Sequence, residues 1–161
     1  MLAAGASSRF GDVKQRILLE PVLERVRASH VDDLVVVLGA HDIETSARTV
    51  YCPEWERGRG ASLRCGLEAL DDDTKAAVVV LVDGPNLSPA AIDRVLKVWH
   101  ESGAEVVAAT YDGNRGHPVV LARAVWDRIP DEGARPLLAL LVPCDDLGSP
   151  GDVDFPEDLP L

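Results

Sequence analysis

Continuous apolar runs of strand length alternate along this chain with stretches whose apolar residues recur at helical spacing. Leu34–Leu38 (LVVVL) ends at Gly39, Ala76–Val82 (AAVVVLV) ends at Asp83-Gly84-Pro85, and Glu105–Thr110 (EVVAAT) is a third run. A short strand is also expected at Met1–Ala4. Unbroken rather than alternating apolar runs suit strands covered on both faces of a mostly parallel sheet. The best-defined helix takes Ser88 as its N-cap and Pro89 as its first residue, and it stops at Gly103. It carries Ile92, Val95, Leu96 and Trp99 on one face. Further helices are expected at Ser62–Leu70 and at Pro21–Ala28, the latter with Val22, Leu23 and Val26 on one side. The order β-α-β-α-β-α-β predicts an α/β fold, a three-layer α/β/α sandwich with a mostly parallel sheet, in which ligands bind at the carboxyl ends of the strands.

A length of 161 residues corresponds to a single domain spanning 1–161. Apolar residues make up 47% and charged residues 27%, as in ordinary globular proteins. The net charge of −11 is unevenly placed: residues 1–66 hold nine acids and nine bases, residues 67–161 eighteen acids and seven bases. That balance argues against a nucleic-acid partner but leaves room for a small anion held by a local basic loop. Cys52, Cys65 and Cys144 form no C-x-x-C pair and read as three reduced thiols of a cytoplasmic protein. No apolar run reaches the ~20 residues of a membrane span. Met1–Ala6 is too short, and lacks the basic start, for a signal peptide.

Chemistry concentrates in five places. The first strand runs into Leu2-Ala3-Ala4-Gly5-Ala6-Ser7-Ser8-Arg9-Phe10-Gly11, followed by Lys14. Small residues there let successive N–H groups line a phosphate-sized concavity, and Arg9 and Lys14 add positive charge. The spacing is neither that of a P-loop nor that of a dinucleotide fingerprint. On residue types alone a plain strand-to-helix turn explains it equally well. The second place is Pro53–Leu67 (PEWERGRGASLRCGL), flexible glycines before a helix start. The third is Leu81-Val82-Asp83-Gly84-Pro85, a carboxylate at the end of a central strand. The fourth is Asn114–Leu121 (NRGHPVVL), followed by Asp131–Leu138 (DEGARPLL). The fifth is Gly151–Leu159 (GDVDFPEDL). Alternation through Asp152-Val153-Asp154 sends both carboxylates to one face and Val153 to the other. Residues 145–161 contain six acids and no base, a repulsion that a bound cation would relieve.

Taken together and in this order, these segments resemble the MobA-like NTP transferases, which include the molybdenum cofactor cytidylyl- and guanylyltransferases and, more distantly, the sugar-nucleotide pyrophosphorylases. The first segment is similar to the family's L-A-A-G-x-S-x-R-[FM]-G-x-x-K, the second to P-x-W-x-x-G-x-x-x-S-L-x-x-G-L, and the third to L-x-D-x-P. The fourth is similar to G-x-x-G-H-P-V with G-D-x-G-A-R-x-L-L, and the fifth to D-[IV]-D-T-P-E-D-L. The resemblance implies a Rossmann-like, nucleotide-diphospho-sugar transferase-like sheet. It also implies a Mg²⁺-dependent transfer of NMP from an NTP, CTP in preference to GTP, to a phosphorylated acceptor such as molybdopterin, with release of pyrophosphate.

It further assigns roles to residues. Arg9, Lys14 and Asp83 would be catalytic, and Asp83 with Asp154 would hold Mg²⁺. Leu2, Ala3, Ala4, Gly5, Ser8, Arg9, Gly11, Lys14, Gly60, Ser62 and Leu63 would bind the nucleotide, with Arg59 and Arg64 also facing phosphates. Arg115, Gly116, His117, Pro118 and Arg135 would bind the acceptor. A molybdoenzyme or its chaperone is a candidate partner. The chain departs from the pattern at several points. The family's first strand usually starts several residues before the position of Leu2. Its L-L-P-x-x-G-x-P-L-L after the lysine is represented only by the shorter Gln15–Leu23. Phe155 replaces a Thr, and Cys52 a frequent Asn. These departures keep a non-catalytic nucleotide- or cofactor-binding carrier as the alternative, beside a sugar-1-phosphate transferase.

Overall fold

The structure, a computed structural model, describes residues 1–160. Its regular elements are α1 (Gln15–Arg27), β1 (Val35–Leu38), β2 (Arg48–Tyr51), α2 (Arg59–Glu68), β3 (Ala76–Val79), α3 (Pro89–Ser102), β4 (Val106–Tyr111), β5 (Asn114–Ala122) and β6 (Leu140–Pro143). β1 pairs with β2 in parallel, and a second group runs in the order β3-β5-β4-β6. The extended segment around Leu2 joins the two. Leu2 N–H donates to the Val80 carbonyl (2.9 Å) and Ala3 N–H to that of Val37 (2.9 Å), while Val82 N–H donates back to Leu2 (3.1 Å). Both of these pairings are parallel. The result is one mixed sheet in which β5 runs antiparallel to both of its neighbours.

Alternate residues of the central strands feed two different layers. Val36, Leu38, Val80 and Val82 pack under α1 and α3, together with Leu19, Val22, Leu23 and Ile92. Val107, Ala109 and Val120 continue that face beneath Ala91 and Val95 of α3. On the reverse face, Val79, Val106, Ala108, Val119 and Leu121 meet Leu63 and Leu67 of α2. Both faces are dry, which is why the strands read as unbroken apolar runs. The expected three-layer α/β/α architecture is present. α3 matches its prediction, with Pro89 in the first turn and Gly103 closing the helix at φ +67°, a left-handed conformation that glycine adopts without strain.

Other elements differ from expectation. α1 begins directly at Gln15, with Lys14 at its N-cap position, and runs through Pro21. The shortened stretch after Lys14 is therefore helix rather than loop. The helix expected at Ser62–Leu70 starts three residues earlier, at Arg59, with Gly58 at its N-cap and Ser62 buried inside its first turn. β2, β5 and β6 were not expected as strands. β2 and β6 are edge strands with mostly exposed residues; Arg48–Tyr51 carries no apolar run, whereas Leu140–Pro143 is an apolar stretch that ends in a proline, a poor strand former. β5 contains Gly116 and Pro118, both poor strand formers. They are accommodated where the β4–β5 register shifts between Ala108 and Thr110, since a bulge needs no N–H from proline. The reading of three free thiols is corrected too. Cys52 and Cys65 form a disulfide between the end of β2 and α2, and only Cys144 is free. Their separation of 13 residues matches no thiol motif, so spacing alone carried no sign of the pair.

Candidate active site

At the carboxyl ends of the central strands the chain lines a cavity of about 250 Å³. Its walls are Leu2–Arg9, Lys14, Gln15, Arg59, Ser62, Leu81–Asp83 and Asp154. A larger cavity of about 720 Å³ lies around Met1, Val35, Ala76 and Trp99, at the opposite ends of the strands. It contains none of the five segments' charged groups, so volume is the poorer guide and the smaller cavity is the candidate site.

The loop after the Leu2 segment owes its shape to Gln15, a side chain only 1% exposed. Its Oε1 accepts from Ser7 Oγ (2.6 Å) and its Nε2 donates to the Gly5 carbonyl (2.7 Å). Helix α1 thereby holds the loop from beneath, and Ser7 takes a positive φ of 55°. A buried amide with both ends satisfied specifies one geometry. Gln15 is not among the predicted site residues. Its only sequence signal is a polar residue in an otherwise apolar register of α1.

Two carboxylates face the loop from different segments. Asp83 ends the strand that passes through Val80 and Val82. Asp154 arrives from the C-terminal stretch, which is fixed where Val153 N–H donates to the Asp83 carbonyl (3.0 Å). Val153 is buried at 1% exposure while Asp152 is exposed and Asp154 half-buried, as the alternation predicts. Asp152 lies close enough to Asp83 and Asp154 that burial, and then those two charges, push its carboxyl up from the ordinary range. Asp158 serves the backbone instead, accepting from the N–H groups of Asp154 (3.0 Å) and Phe155 (2.8 Å).

Lys14 sits between the carboxylates. Its Nζ donates to the Val153 carbonyl (2.5 Å) and lies 3.5 Å from Asp83 Oδ2 and 3.8 Å from Asp154 Oδ1. Arg9 Nη1 contacts Asp154 Oδ2 at 2.7 Å, with its side chain 64% exposed. One buried cation reaching both carboxylates shows that the pair converges on a cation-sized position. Among the described residues no group of three or more His, Cys, Asp or Glu side chains is placed to hold a metal. Two carboxylates beside a phosphate-sized cavity fit Mg²⁺, which keeps phosphate oxygens and waters as its remaining ligands.

Leu2, Ala3, Ala4, Gly5, Ser8, Arg9, Lys14, Ser62, Asp83 and Asp154 line one cavity. Gly11, Gly60 and Leu63 lie outside its walls. Gly11 makes the turn before α1 at φ +78°. Gly60 is a packing residue: a Cβ there would stand 1.7 Å from the Pro130 carbonyl oxygen, and its N–H donates to Asp131 (2.8 Å). Leu63 belongs to the core under α2. Arg64 does not face phosphates, because it holds the Ile129 carbonyl (2.7 Å) and ion-pairs with Asp131. Arg59, by contrast, is part of the wall.

The predicted acceptor residues gather beyond Arg59. Arg115 donates to the carbonyls of Leu137 (2.7 Å), Arg135 (3.1 Å) and Ala134 (3.2 Å). It thereby pins the 134–137 loop to the start of β5. Burial, then the charges of Arg59, Arg115 and Arg135, pull the His117 pKa down to about 4, so the ring is neutral at pH 7. A Cβ on Gly116 would press on the Tyr111 ring at 3.1 Å, so a side chain there would push the ring aside by a few tenths of an ångström. Pro118 is buried.

Residues 1–144 match the model of the MobA-like NTP transferase domain. Rv0371c of Mycobacterium tuberculosis H37Rv is 28% identical, with a TM-score of 0.75 over 98% of this chain and 92% of that one. The same protein is also known as a complex with manganese, which aligns at 24% identity with a TM-score of 0.71 over the same shares of the two chains. The molybdopterin-guanine dinucleotide biosynthesis protein A of Archaeoglobus fulgidus shares the fold, with a TM-score of 0.68 and 16% identity over 98% of this chain and 92% of its own. The bifunctional protein GlmU of Cutibacterium acnes is 31% identical over 117 residues, which are 63% of this chain and 28% of that protein. The chain therefore spans little more than a quarter of the curated relatives it matches. Among the described residues no helix is long and apolar enough to cross a membrane. The family model covers residues 1–144, most of the chain, and the chain belongs to the MobA-like NTP transferase family.

Proposed function

We propose that this protein is a Mg²⁺-dependent nucleotidylyltransferase that moves NMP from an NTP, CTP in preference to GTP, to a phosphorylated acceptor of the molybdopterin type. The observation that carries the reading is Lys14 poised between Asp83 and Asp154 beneath a loop of small residues. An NTP lies over Leu2–Arg9, where loop N–H groups and Arg9 meet its phosphates. Asp83 and Asp154 hold the metal. Bound there, Mg²⁺ supplies charge neutralisation to the triphosphate.

An oxygen of the acceptor phosphate forms a bond to the α-phosphorus. The bond from that phosphorus to the α–β bridging oxygen breaks, and pyrophosphate leaves with the electron pair. A phosphate nucleophile is already ionised at pH 7, so the site needs positioning and charge more than a general base. Arg9 and Lys14 meet the charge that builds on the departing pyrophosphate. The test is pyrophosphate release from CTP, GTP, ATP and UTP with molybdopterin and, separately, with sugar 1-phosphates. An NTP donor makes the cytoplasm the expected location, and a molybdoenzyme or its chaperone the expected recipient of the product.

The shortened connection after Lys14, now helix from its first residue, favours one other reading, a nucleotide- or cofactor-binding carrier. That reading predicts NTP binding by calorimetry without pyrophosphate release.

A further inference from the structure

The Cys52–Cys65 disulfide closes a loop that carries part of the cavity wall. Cys52 follows β2 and Cys65 lies in α2, so the loop between them contains both Arg59 and Ser62, which line the nucleotide cavity. Ser62 stands one helical turn before Cys65, and the Cys52 sulfur lies 3.6 Å from the carbonyl of Ala61 beside it. The pair touches a second wall as well. Cys52 is fully buried in a small cluster with Ala4, Val35 and Val37, closed by the partly buried Leu2, Trp55 and Cys65. Leu2 and Ala4 belong to the phosphate-facing loop and to the cavity lining. The two sulfurs therefore sit directly behind the site from both sides. Cys144, the free thiol, packs under α3 on the other face of the sheet.

We propose that Cys52 and Cys65 form a redox-modified site: the disulfide form holds the cavity in shape, and the dithiol form binds NTP more weakly. This rests on the nucleotide reading of the cavity. An NTP-using protein is expected where thiols are kept reduced, and disulfides there are transient or redox-sensing rather than permanent. Access is one-sided, because Cys52 is 0% exposed while Cys65 is only half-buried. A small dithiol is the reductant. One of its thiolates bonds to the Cys65 sulfur, the Cys52–Cys65 bond breaks, and Cys52 leaves with the electron pair and takes up a proton. The reductant's second thiolate then bonds to its own first sulfur. Cys65 leaves and takes up a proton, and the reductant departs as a cyclic disulfide. The protein gains two electrons and two protons. Two separate thiols need more room than a bonded pair. Buried Val35 and Val37 of the sheet stand behind Cys52, so that room is made on the α2 side, which carries Arg59 and Ser62. Opening the loop also removes its covalent restraint.

The test is CTP and GTP affinity by calorimetry, for the parent protein equilibrated in oxidised and in reduced dithiothreitol. Thiol counting in denaturant should give one free thiol in the first state and three in the second. The reduced protein is expected to bind NTP at least fivefold more weakly. C65S, which cannot form the bond, should show the weaker affinity under both conditions, and C144S should respond as the parent does. Without nucleotide, amide hydrogen exchange across residues 2–9 and 58–66 should speed up at least tenfold on reduction, while that of α3 stays within twofold. Three free thiols after oxidation, unchanged exchange, or measurable but equal NTP affinity in the two states overturns the proposal. No NTP binding in either state, with exchange still redox-dependent, refutes the nucleotide reading and leaves the redox site standing.

Discussion

Lys14→Met removes the one buried cation between Asp83 and Asp154 while keeping a stem of similar length. At distances of 3.5 and 3.8 Å and an effective dielectric of about 20, each attraction is roughly 4–5 kcal/mol before desolvation is counted. The Lys14 side chain is 11% exposed and the carboxylates 20% and 27%, so the ammonium's lost hydration offsets most of that. Stranding a pair of half-buried carboxylates costs about 3 kcal/mol net, the low end for a broken buried pair. For a domain of this size that is a fall in Tm of about 6–12 °C. The assay is thermal unfolding in EDTA and again in Mg²⁺. If the carboxylates form a divalent-ion position, an ion at 100 times its Kd returns about 2.7 kcal/mol. K14M should then recover most of its loss, while the parent, in which Mg²⁺ must first displace the Lys14 ammonium from the position, gains much less. A fall in Tm below about 2 °C, or a K14M protein indifferent to Mg²⁺, refutes the reasoning.

Two further predictions concern the loop and the acceptor region. Gln15→Leu leaves the Gly5 carbonyl and Ser7 hydroxyl without their partner. It should cost about 1–3 kcal/mol of stability and raise the KM for NTP more than it lowers kcat, as steady-state kinetics and urea unfolding will show. His117 titrates at about 4 in the fold and near 6.5 in the unfolded chain. Between those values the unfolded chain binds a proton that the native state does not, so stability rises with pH from 4 to 6.5 and is flat above. The full effect is roughly 3 kcal/mol. The His117 contribution is read as the difference between the parent and H117N.

Where the chain must present chemistry, its sequence was readable. The Leu2–Lys14 loop, Asp83 after an apolar run, and the Asp152-Val153-Asp154 alternation each occupy the predicted place, because their residue types answer to local backbone and charge. The elements that escaped are those whose stability is tertiary. β2 and β6 are short edge strands held by one neighbour each. β5 carries a glycine and a proline that only the register shift opposite Ala108–Thr110 tolerates. The disulfide between Cys52 and Cys65 depends on how β2 and α2 meet, which no spacing rule encodes. Gly60 and Arg64 show the opposite error. Both sit in a segment resembling a nucleotide-binding motif, yet they pack against and anchor the 129–131 turn. Motif membership located the segment correctly. The contacts decided which of its residues face the cavity and which hold its walls.

Pyrophosphate release from NTP and a phosphorylated acceptor, by the parent and by D83N at equal folded concentration, tests the central claim most directly. The account predicts Mg²⁺-dependent release by the parent, abolished by EDTA, and a loss of at least a hundredfold in kcat/KM in a D83N protein with native circular dichroism. A D83N enzyme as active as the parent, or no release with any of the four NTPs by an intact, Mg²⁺-supplied protein, would contradict it.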